Sequence, residues 1–237
     1  MPAKRRRLSV RIFRFFGMLF LLSLGYLVLC RWVYPPITIT QLSSLVEGAG
    51  LKRDYVSGEK ISPNLRLAVI ASEDQLFPDH NGFDWGAVEK SLKGERQGRK
   101  GKRPVGAAAS TLSQQTAKNV FLWQGGGWSR YVRKVLEAPY TGLIELIWAK
   151  RRILDVYLNV AEMGPGIYGA EAASRAYFHK PASQLSRKEA AMIAACLPSP
   201  SRFTVVPLSK RVAGRTPWIL RQMANLEGDP EVHLLIQ

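Results

Sequence analysis

The chain has 237 residues, of which 46% are hydrophobic and 22% are charged, a profile typical of a globular protein. It carries 34 lysine and arginine residues against 18 aspartate and glutamate residues, and the resulting formal charge of +16 predicts a polyanionic partner. The length disfavours two fused enzymes, and a total of two cysteines excludes a disulfide-rich secreted scaffold.

An apolar run near the N-terminus is the first informative segment. Residues 15–30 carry no charge, and Arg14 and Arg31 flank them. A membrane-spanning helix needs roughly 17–25 apolar residues, and snorkelling arginines with the aromatic residues that follow extend the usable length to residue 34. The sequence therefore predicts a transmembrane helix at 15–34. A cleaved signal peptide is the alternative, but no small-residue cleavage site follows the run.

The charges around this run predict its orientation. Residues 1–14 hold six basic and no acidic side chains, so they form a cytoplasmic tail by the positive-inside rule. In a bacterium this means a single pass through the inner membrane, with the larger part of the chain in the periplasm or on the outer surface. Nucleic acid is largely absent there. Residues 35–237 keep a net charge of +9, and their predicted anion is a lipid headgroup or a lipid-linked phosphate.

The remaining chain shows mainly helical patterns. Residues 35–60 resemble a stalk or small lead-in, because glycine, serine and threonine alternate with scattered apolar residues. At residue 62 a serine N-cap and a first-turn proline begin a buried helix that ends near Glu73 and Asp74. Strand patterns are nearly absent, so we expect one mainly α domain with at most a small hairpin. Further helices are predicted at 85–92, 111–119, about 132–148 with an interruption and kink at Pro139, 153–159, 170–178 and 190–197.

Two glycine-rich segments separate these helices. Residues 93–103 combine basic side chains with three glycines and predict a mobile basic loop, and residues 125–127 are three consecutive glycines. The basic loop either faces solvent or contacts anionic lipid.

The candidate chemistry rests on carboxylates. Three histidines at unrelated spacings give little support to a zinc site or a Ser-His-Asp triad, and His80 is most simply structural. Glu73 ends an apolar helix, where burial would raise its pKa, and Glu137 interrupts an apolar helix. Two carboxylates facing a cleft suit substitution at an anomeric carbon. The alternative is that Glu73 and Asp74 cap a helix while Glu137 pairs with Arg133 at i, i+4.

Five segments, taken in order, resemble the five motifs of the family 51 glycosyltransferases. They are ASEDQLFPDHNGFD (71–84), STLSQQTAKN (110–119), RKVLE (133–137), RRILDVYLNVAEMGPGIYGAEAASRAYFHK (151–180) and LSRKEAAMIAACLPSPSRF (185–203).

The resemblance implies a peptidoglycan glycosyltransferase that polymerises lipid II, of the stand-alone type behind one membrane helix. It implies a mainly α, lysozyme-like head over residues 61–225, with a small membrane-proximal jaw within 85–135. The implied partners are lipid II, the lipid-linked glycan and an anionic membrane, with cell-wall synthases and division proteins as candidates and no nucleic acid.

The motifs also imply roles for single residues. Glu73 takes the position of the general base, and Glu137 that of a second essential acid. The implied reaction forms β-1,4 bonds with inversion and releases undecaprenyl pyrophosphate. No cofactor is required, although a divalent metal, Mg or Mn, can serve some members at the pyrophosphate. The implied substrate-binding residues are Asp74, Ser110, Gln114, Gln115, Lys118, Arg130 and Arg133, and Asp74 is also expected to shape the Glu73 loop.

Two departures and two rival functions accompany the resemblance. Ala108 and Ala109 replace the glycine pair that commonly precedes the second motif, and Ser129 stands where the family has an arginine, which makes Arg130 a provisional assignment. A lysozyme-like hydrolase or lytic transglycosylase would share the fold and one glutamate. A catalytically silent membrane adaptor would share the charge and the anchor.

Overall fold

The computed structural model describes residues 2–92, 110–125 and 127–237, without the side chains of 2–10, 12 and 90–92. The chain divides into two compact units, Met1–Pro35 and Pro36–Gln237. The first unit contains α1 (Pro2–Leu29). Among the residues that the structure describes, no helix combines the length and the apolar character required to cross a membrane. The span at 15–34 stays a prediction.

The second unit is mainly helical, which confirms the predicted class. Seven of its helices lie close to the predicted positions, whereas the helices at 39–46, 210–226 and 230–236 were not predicted. The helices are α2 (Ile39–Val46), α3 (Pro63–Glu73), α4 (Trp85–Leu92), α5 (Leu112–Phe121), α6 (Ser129–Ile147), α7 (Lys150–Val160), α8 (Ala170–Phe178), α9 (Arg187–Cys196), α10 (Lys210–Leu226) and α11 (Pro230–Ile236), with short 3-10 turns at Gly58–Lys60 and Ala182–Gln184.

A three-stranded sheet accompanies the helices. Strands β2 (Glu162–Gly164) and β3 (Ile167–Tyr168) form the expected hairpin, and β1 (Lys52–Arg53) pairs in parallel with β3. The sheet order is β1-β3-β2. The sheet is therefore larger than the predicted hairpin, because a two-residue strand from the lead-in has no periodic pattern that the sequence could display.

The lead-in of residues 36–60 is folded. Thr38 and Gln41 form a capping box at the start of α2, and Tyr168 of β3 donates a hydrogen bond from its hydroxyl to the Thr40 carbonyl at 3.2 Å. Gly166 has a φ of +67°, and a Cβ there would lie 2.2 Å from the Ala49 carbonyl oxygen. A glycine is required at this turn because the lead-in crosses it so closely.

Helix α3 lies at the centre of the second unit and positions Glu73. Ser62 caps its first turn, Pro63 occupies the N1 position, and residues 65–71 are buried. The helix packs against α9 and α10, whereas α5 packs against α6 and α7. Glu73 is the last residue of α3 and faces Gln115 of α5. The buried helix therefore presents a single carboxylate at its C-terminal end.

Two details differ from the sequence prediction or lie outside the description. Helix α6 continues through Pro139, so the predicted interruption is wrong. Both Pro139 and Val135, whose carbonyl loses its backbone partner, lie on an exposed face, so the proline ring does not have to fit against a packed neighbouring helix. The basic loop at 93–103 and the Ala108–Ala109 pair lie outside the described residues.

Candidate active site

The Glu73 carboxylate is held by neutral donors. The Ser72 hydroxyl donates to Oε1 at 3.2 Å, and Nε2 of Gln115 donates to Oε2 at 3.1 Å. The Tyr157 hydroxyl in turn donates to Oε1 of Gln115 at 3.1 Å, which fixes the orientation of the amide. The carboxylate is thus positioned by a chain of hydrogen bonds that ends on α7.

Burial raises the pKa of the Glu73 carboxyl above its ordinary value, because the charged form loses its solvation. The Gln115 hydrogen bond, the Arg215 guanidinium, the Ser72 hydroxyl and the Lys118 ammonium oppose this rise. A half-buried carboxyl with a raised pKa is suited to accept a proton from a substrate hydroxyl near neutral pH.

Asp74 links the residues on either side of the site. Its carboxylate accepts a hydrogen bond from the Leu112 backbone N–H at 2.8 Å and lies 3.0 Å from Nε2 of His80. Nδ1 of His80 accepts from the Gly82 N–H at 3.1 Å, so Nε2 is the protonated nitrogen that donates to Asp74. Asp74 therefore connects the end of α3 to the start of α5. Its expected task in shaping the Glu73 loop fits this geometry better than direct substrate contact.

Glu137 stands in a different environment, at the centre of a cationic cluster. Nε of Arg133 lies 3.1 Å from Oε1, and Nζ of Lys134 lies 2.9 Å from Oε2. Nη1 of Arg133 also donates to the carbonyls of Trp123 and Gly125, each at 3.2 Å. The i, i+4 pair of Arg133 with Glu137 therefore forms, and Arg133 also braces the loop before α6.

The second motif contributes residues with separate tasks. Ser110 accepts a hydrogen bond from Nζ of Lys134 at its hydroxyl oxygen, 3.2 Å away. The Gln114 side chain closes the capping box of α5 by accepting from the Thr111 N–H at 3.0 Å. Gln115 alone reaches Glu73. The structure thus joins Ser110 to the Glu137 cluster and Gln115 to Glu73, and it gives Gln114 a capping role.

Lys118 of α5 is close enough to both glutamates for their charges to act on it. Burial lowers the pKa of its ammonium group, the Glu137 carboxylate opposes this, and the cations Arg133 and Lys134 add to it. Glu73 attracts it as well. Within the described part of the chain, the Lys118 ammonium takes part in no hydrogen bond and no ion pair. It is therefore a half-buried cation that is available to an anionic ligand.

Arg130 lies apart from these groups. Its guanidinium is exposed, donates to the Tyr131 hydroxyl at 3.1 Å and stacks over the Tyr131 ring with 5.0 Å to the ring centroid. The structure therefore does not bring Arg130 to Glu73 or Glu137 in the described conformation.

The sequence did not single out Tyr157 and Arg215, and the structure adds a contact of Lys134 with Ser110. Lys134 bridges Glu137 and Ser110, and its i, i+3 spacing from Glu137 was the available signal. Tyr157 orients Gln115. Arg215 of α10 donates from Nη2 to the Ser72 carbonyl at 3.1 Å, and nothing in its local sequence relates it to Glu73.

Cys196 is a buried residue close to Glu73. It ends α9, it is fully buried, and its thiol donates to the Met163 carbonyl at 3.1 Å. Burial raises the pKa of this thiol to about 12, and the Glu73 carboxylate contributes to the rise. Among the described residues, no three histidine, cysteine, aspartate or glutamate side chains are grouped so that they could hold a metal ion.

Comparisons with known proteins agree with the resemblance of the motifs. The model of the transglycosylase family matches residues 40–224. The chain is similar to a protein named biosynthetic peptidoglycan transglycosylase from Shigella boydii serotype 4 (strain Sb227), with 55% identity over 177 residues, 75% of this chain and 70% of the relative. It is also similar to proteins of the same name from Yersinia pestis (strain Pestoides F) and Yersinia pseudotuberculosis serotype IB (strain PB1/+), each with 58% identity over 175 residues, 74% of this chain and 70% of the relative.

Proposed function

The chain belongs to the transglycosylase family, and we propose that it polymerises peptidoglycan glycan chains from lipid II. In this reaction the growing lipid-linked chain is transferred onto the 4-hydroxyl of the GlcNAc of lipid II. The observation that carries the proposal is that neutral donors of Ser72 and Gln115 hold the Glu73 carboxylate, while the nearby Lys118 ammonium has no hydrogen-bond or ion-pair partner in the described part of the chain.

Glu73 is proposed as the general base. It removes the proton of the GlcNAc 4-hydroxyl while that oxygen attacks C1 of the donor MurNAc. Attack on the face opposite the α-linked pyrophosphate breaks the C1–O bond and leaves a β-1,4 linkage, so the reaction inverts. Gln115 and Tyr157 support this role, because they hold the carboxylate in one orientation.

The cations around Glu137 are proposed to receive the leaving group. Undecaprenyl pyrophosphate gains negative charge as the bond to C1 breaks, and preorganised cations stabilise that charge. Lys118 supplies an unpaired ammonium, and Glu137 holds Arg133 and Lys134 in place. A divalent metal would act on the same oxygens of the pyrophosphate, and a metal requirement stays a prediction.

Membrane contact is proposed for α1 and for one face of α6. Four large hydrophobic side chains of α6 and its N-cap follow helical spacing and are 58% to 82% exposed, an unusual composition for a solvated helix face. They are Trp128, Tyr131, Val135 and Leu146. Exposed phenylalanine and leucine side chains of α1 support an anchor over residues 15–34. We propose the bacterial inner membrane as location, with a cytoplasmic N-terminus, a periplasmic lysozyme-like head and a jaw at the membrane.

The test is polymerisation of labelled lipid II by the purified full chain in detergent. We expect long, muramidase-sensitive glycan and release of undecaprenyl pyrophosphate. A hydrolase or lytic enzyme would instead shorten preformed glycan and leave lipid II intact, and a silent adaptor would bind it without product. Either result would overturn the proposal.

A further inference from the structure

Helix α2 has its polar side chains inside the protein and its large apolar side chains outside. Thr40, Gln41 and Ser44 are buried. Four apolar side chains of the same helix, which we call the apolar strip, are 46% to 82% exposed. They are Ile39, Leu42, Leu45 and Val46. A helix with water on its outer side shows the opposite arrangement, with its apolar face turned to the core.

The buried polar groups of α2 have partners within the protein. Nε2 of Gln41 donates to the Tyr55 hydroxyl at 2.8 Å, and the Ser44 hydroxyl donates to the Gly50 carbonyl at 2.8 Å. The Tyr168 hydroxyl donates to the carbonyl of Thr40. Rotation of the helix to bury the apolar strip would break these bonds and leave buried polar groups unpaired. The outward orientation of the strip is therefore fixed by the fold.

The apolar strip is continuous and uncharged. Ile39, Leu42 and Val46 follow i, i+3, i+7 spacing, and Leu45 lies three positions after Leu42, so all four share one side of the helix. None of the eight residues of α2 is charged. A contiguous exposed apolar surface of this kind is typical of contact with a membrane or with another protein.

The position of α2 in the chain favours the membrane. Five residue steps join Tyr34, the last residue of the predicted anchor, to Ile39. An extended chain spans at most about 3.6 Å per residue, so α2 begins within about 18 Å of the membrane surface when residues 15–34 cross the bilayer. Trp32 and Tyr34, which end the anchor, are residue types that favour the membrane interface.

We propose that α2 lies in the interfacial layer of the lipid bilayer, with the apolar strip among the acyl chains next to the headgroups. Interfacial helices usually turn their polar face to water, whereas here the rest of the protein satisfies that face. Because α2 packs against α5, which carries Gln115 and Lys118, this contact keeps the candidate site close to the membrane surface. The inference requires the predicted anchor but not the proposed reaction.

The experiment places one fluorescent label on the apolar strip of the full chain, reconstituted in phosphatidylcholine vesicles. Leu42→Cys and Val46→Cys provide two independent label positions. Both are made in a Cys30→Ser background, in which Cys196 is the remaining native thiol and is buried. Leu42 and Val46 are exposed, so the variants should fold, and melting temperatures check this.

Two further label positions calibrate the measurement. Leu234→Cys is the matched control, because Leu234 is a 70% exposed apolar residue of α11 in the same unit. Leu21→Cys lies in the predicted anchor and reports whether that segment enters the bilayer. Each labelled protein is exposed to iodide in water and to lipids that carry a nitroxide either near the headgroup or at the end of the acyl chain.

We expect the headgroup-proximal nitroxide to quench labels at positions 42 and 46 several times more strongly than a label at 234, and iodide to quench them several times less. The nitroxide at the chain end should be less effective at 42 and 46. High salt should leave these differences unchanged, because the contact is apolar and salt screens only charges.

Equal lipid quenching at positions 42, 46 and 234 would overturn the proposal, and so would a signal that high salt abolishes. Protection from iodide without lipid quenching would show that protein, such as a second copy of this chain, covers the apolar strip instead. A label at position 21 that escapes lipid quenching would contradict the predicted anchor and the proposal with it.

Discussion

Glu73 and Glu137 are two glutamates of one site with opposite surroundings. Glu137 is 4% exposed and holds two cations, Arg133 and Lys134, in ion pairs. Glu73 bonds, among the described residues, only to the neutral donors of Ser72 and Gln115. A carboxylate clamped by two cations keeps those cations in place. A carboxylate held by neutral groups in a desolvated position remains available to take a proton.

The largest effect that tests this contrast is expected from Glu73→Gln. Loss of a general base costs about 10²–10⁴ in rate, so polymerisation should fall by that factor. The fold should become slightly more stable at neutral pH, because ionised Glu73 is disfavoured in the folded state. That gain should disappear as the pH falls below the ordinary pKa of 4.5, where both states are protonated.

Rates with lipid II and melting temperatures at two pH values measure these outcomes. Glu59→Gln is the control, because it removes an exposed carboxylate from the same unit. A folded Glu73→Gln protein that polymerises at the normal rate would remove Glu73 from the mechanism.

Glu137→Gln should act mainly on stability. It breaks two ion pairs and leaves Arg133 and Lys134 without their carboxylate, which costs about 3 kcal/mol when the pair is buried. Denaturant unfolding measures the loss. Glu227→Gln is a sharp control because it breaks an exposed pair with Arg187, and its effect should be far smaller. Equal effects of the two variants would show that the buried cluster does not stabilise the fold.

Lys118→Ala should act mainly on turnover. Removal of one preorganised group that stabilises developing charge typically costs about 10²–10³ in kcat. The melting temperature should hold or rise, since burial already lowers the pKa of this ammonium. Steady-state kinetics with Lys188→Ala, an exposed lysine, as control make the comparison. A lower melting temperature with unchanged kcat would assign Lys118 to the scaffold.

The smallest expected effect is a change in the pH profile. Activity should rise as the pH passes the raised pKa of Glu73, because the base must be ionised. It should fall again at alkaline pH as Lys118, whose pKa is lowered, loses its proton. Lys118→Arg should remove the alkaline fall and keep the acidic rise. An alkaline fall that survives in Lys118→Arg would point to another group.

The sequence predicted seven of the ten described helices of the second unit, for local reasons, and did not predict α2, α10 and α11. Ser62 and Pro63 began α3, and the Thr111 and Gln114 capping box began α5, because capping depends on residues three positions apart. The mainly α class followed from the same signals. Glu73 was correctly expected at the end of α3, since the apolar run stops there.

Other features depend on contacts that no local pattern records. Arg215 reaches Ser72 across 143 positions of the chain, and β1 exists only because β3 pairs with it. Helix α6 continues through Pro139 because that residue lies on an exposed face. The approach of Lys118 to Glu137 likewise required the packing of α5 against α6. Burial and charge at long range decide these features, and both arise only after folding.

Because Cys196 is buried, the reactivity of its thiol reports local opening of the folded protein. A reagent reacts with the thiolate, and a pKa of about 12 leaves almost none at neutral pH while α9 stays packed. Labelling therefore requires opening of the interior behind Glu73, and its rate measures how often that opening occurs. In a Cys30→Ser variant, the rate at which a thiol reagent modifies Cys196 would report how stably α3 packs against α9. The measurement works in a membrane preparation and needs no spectroscopic label.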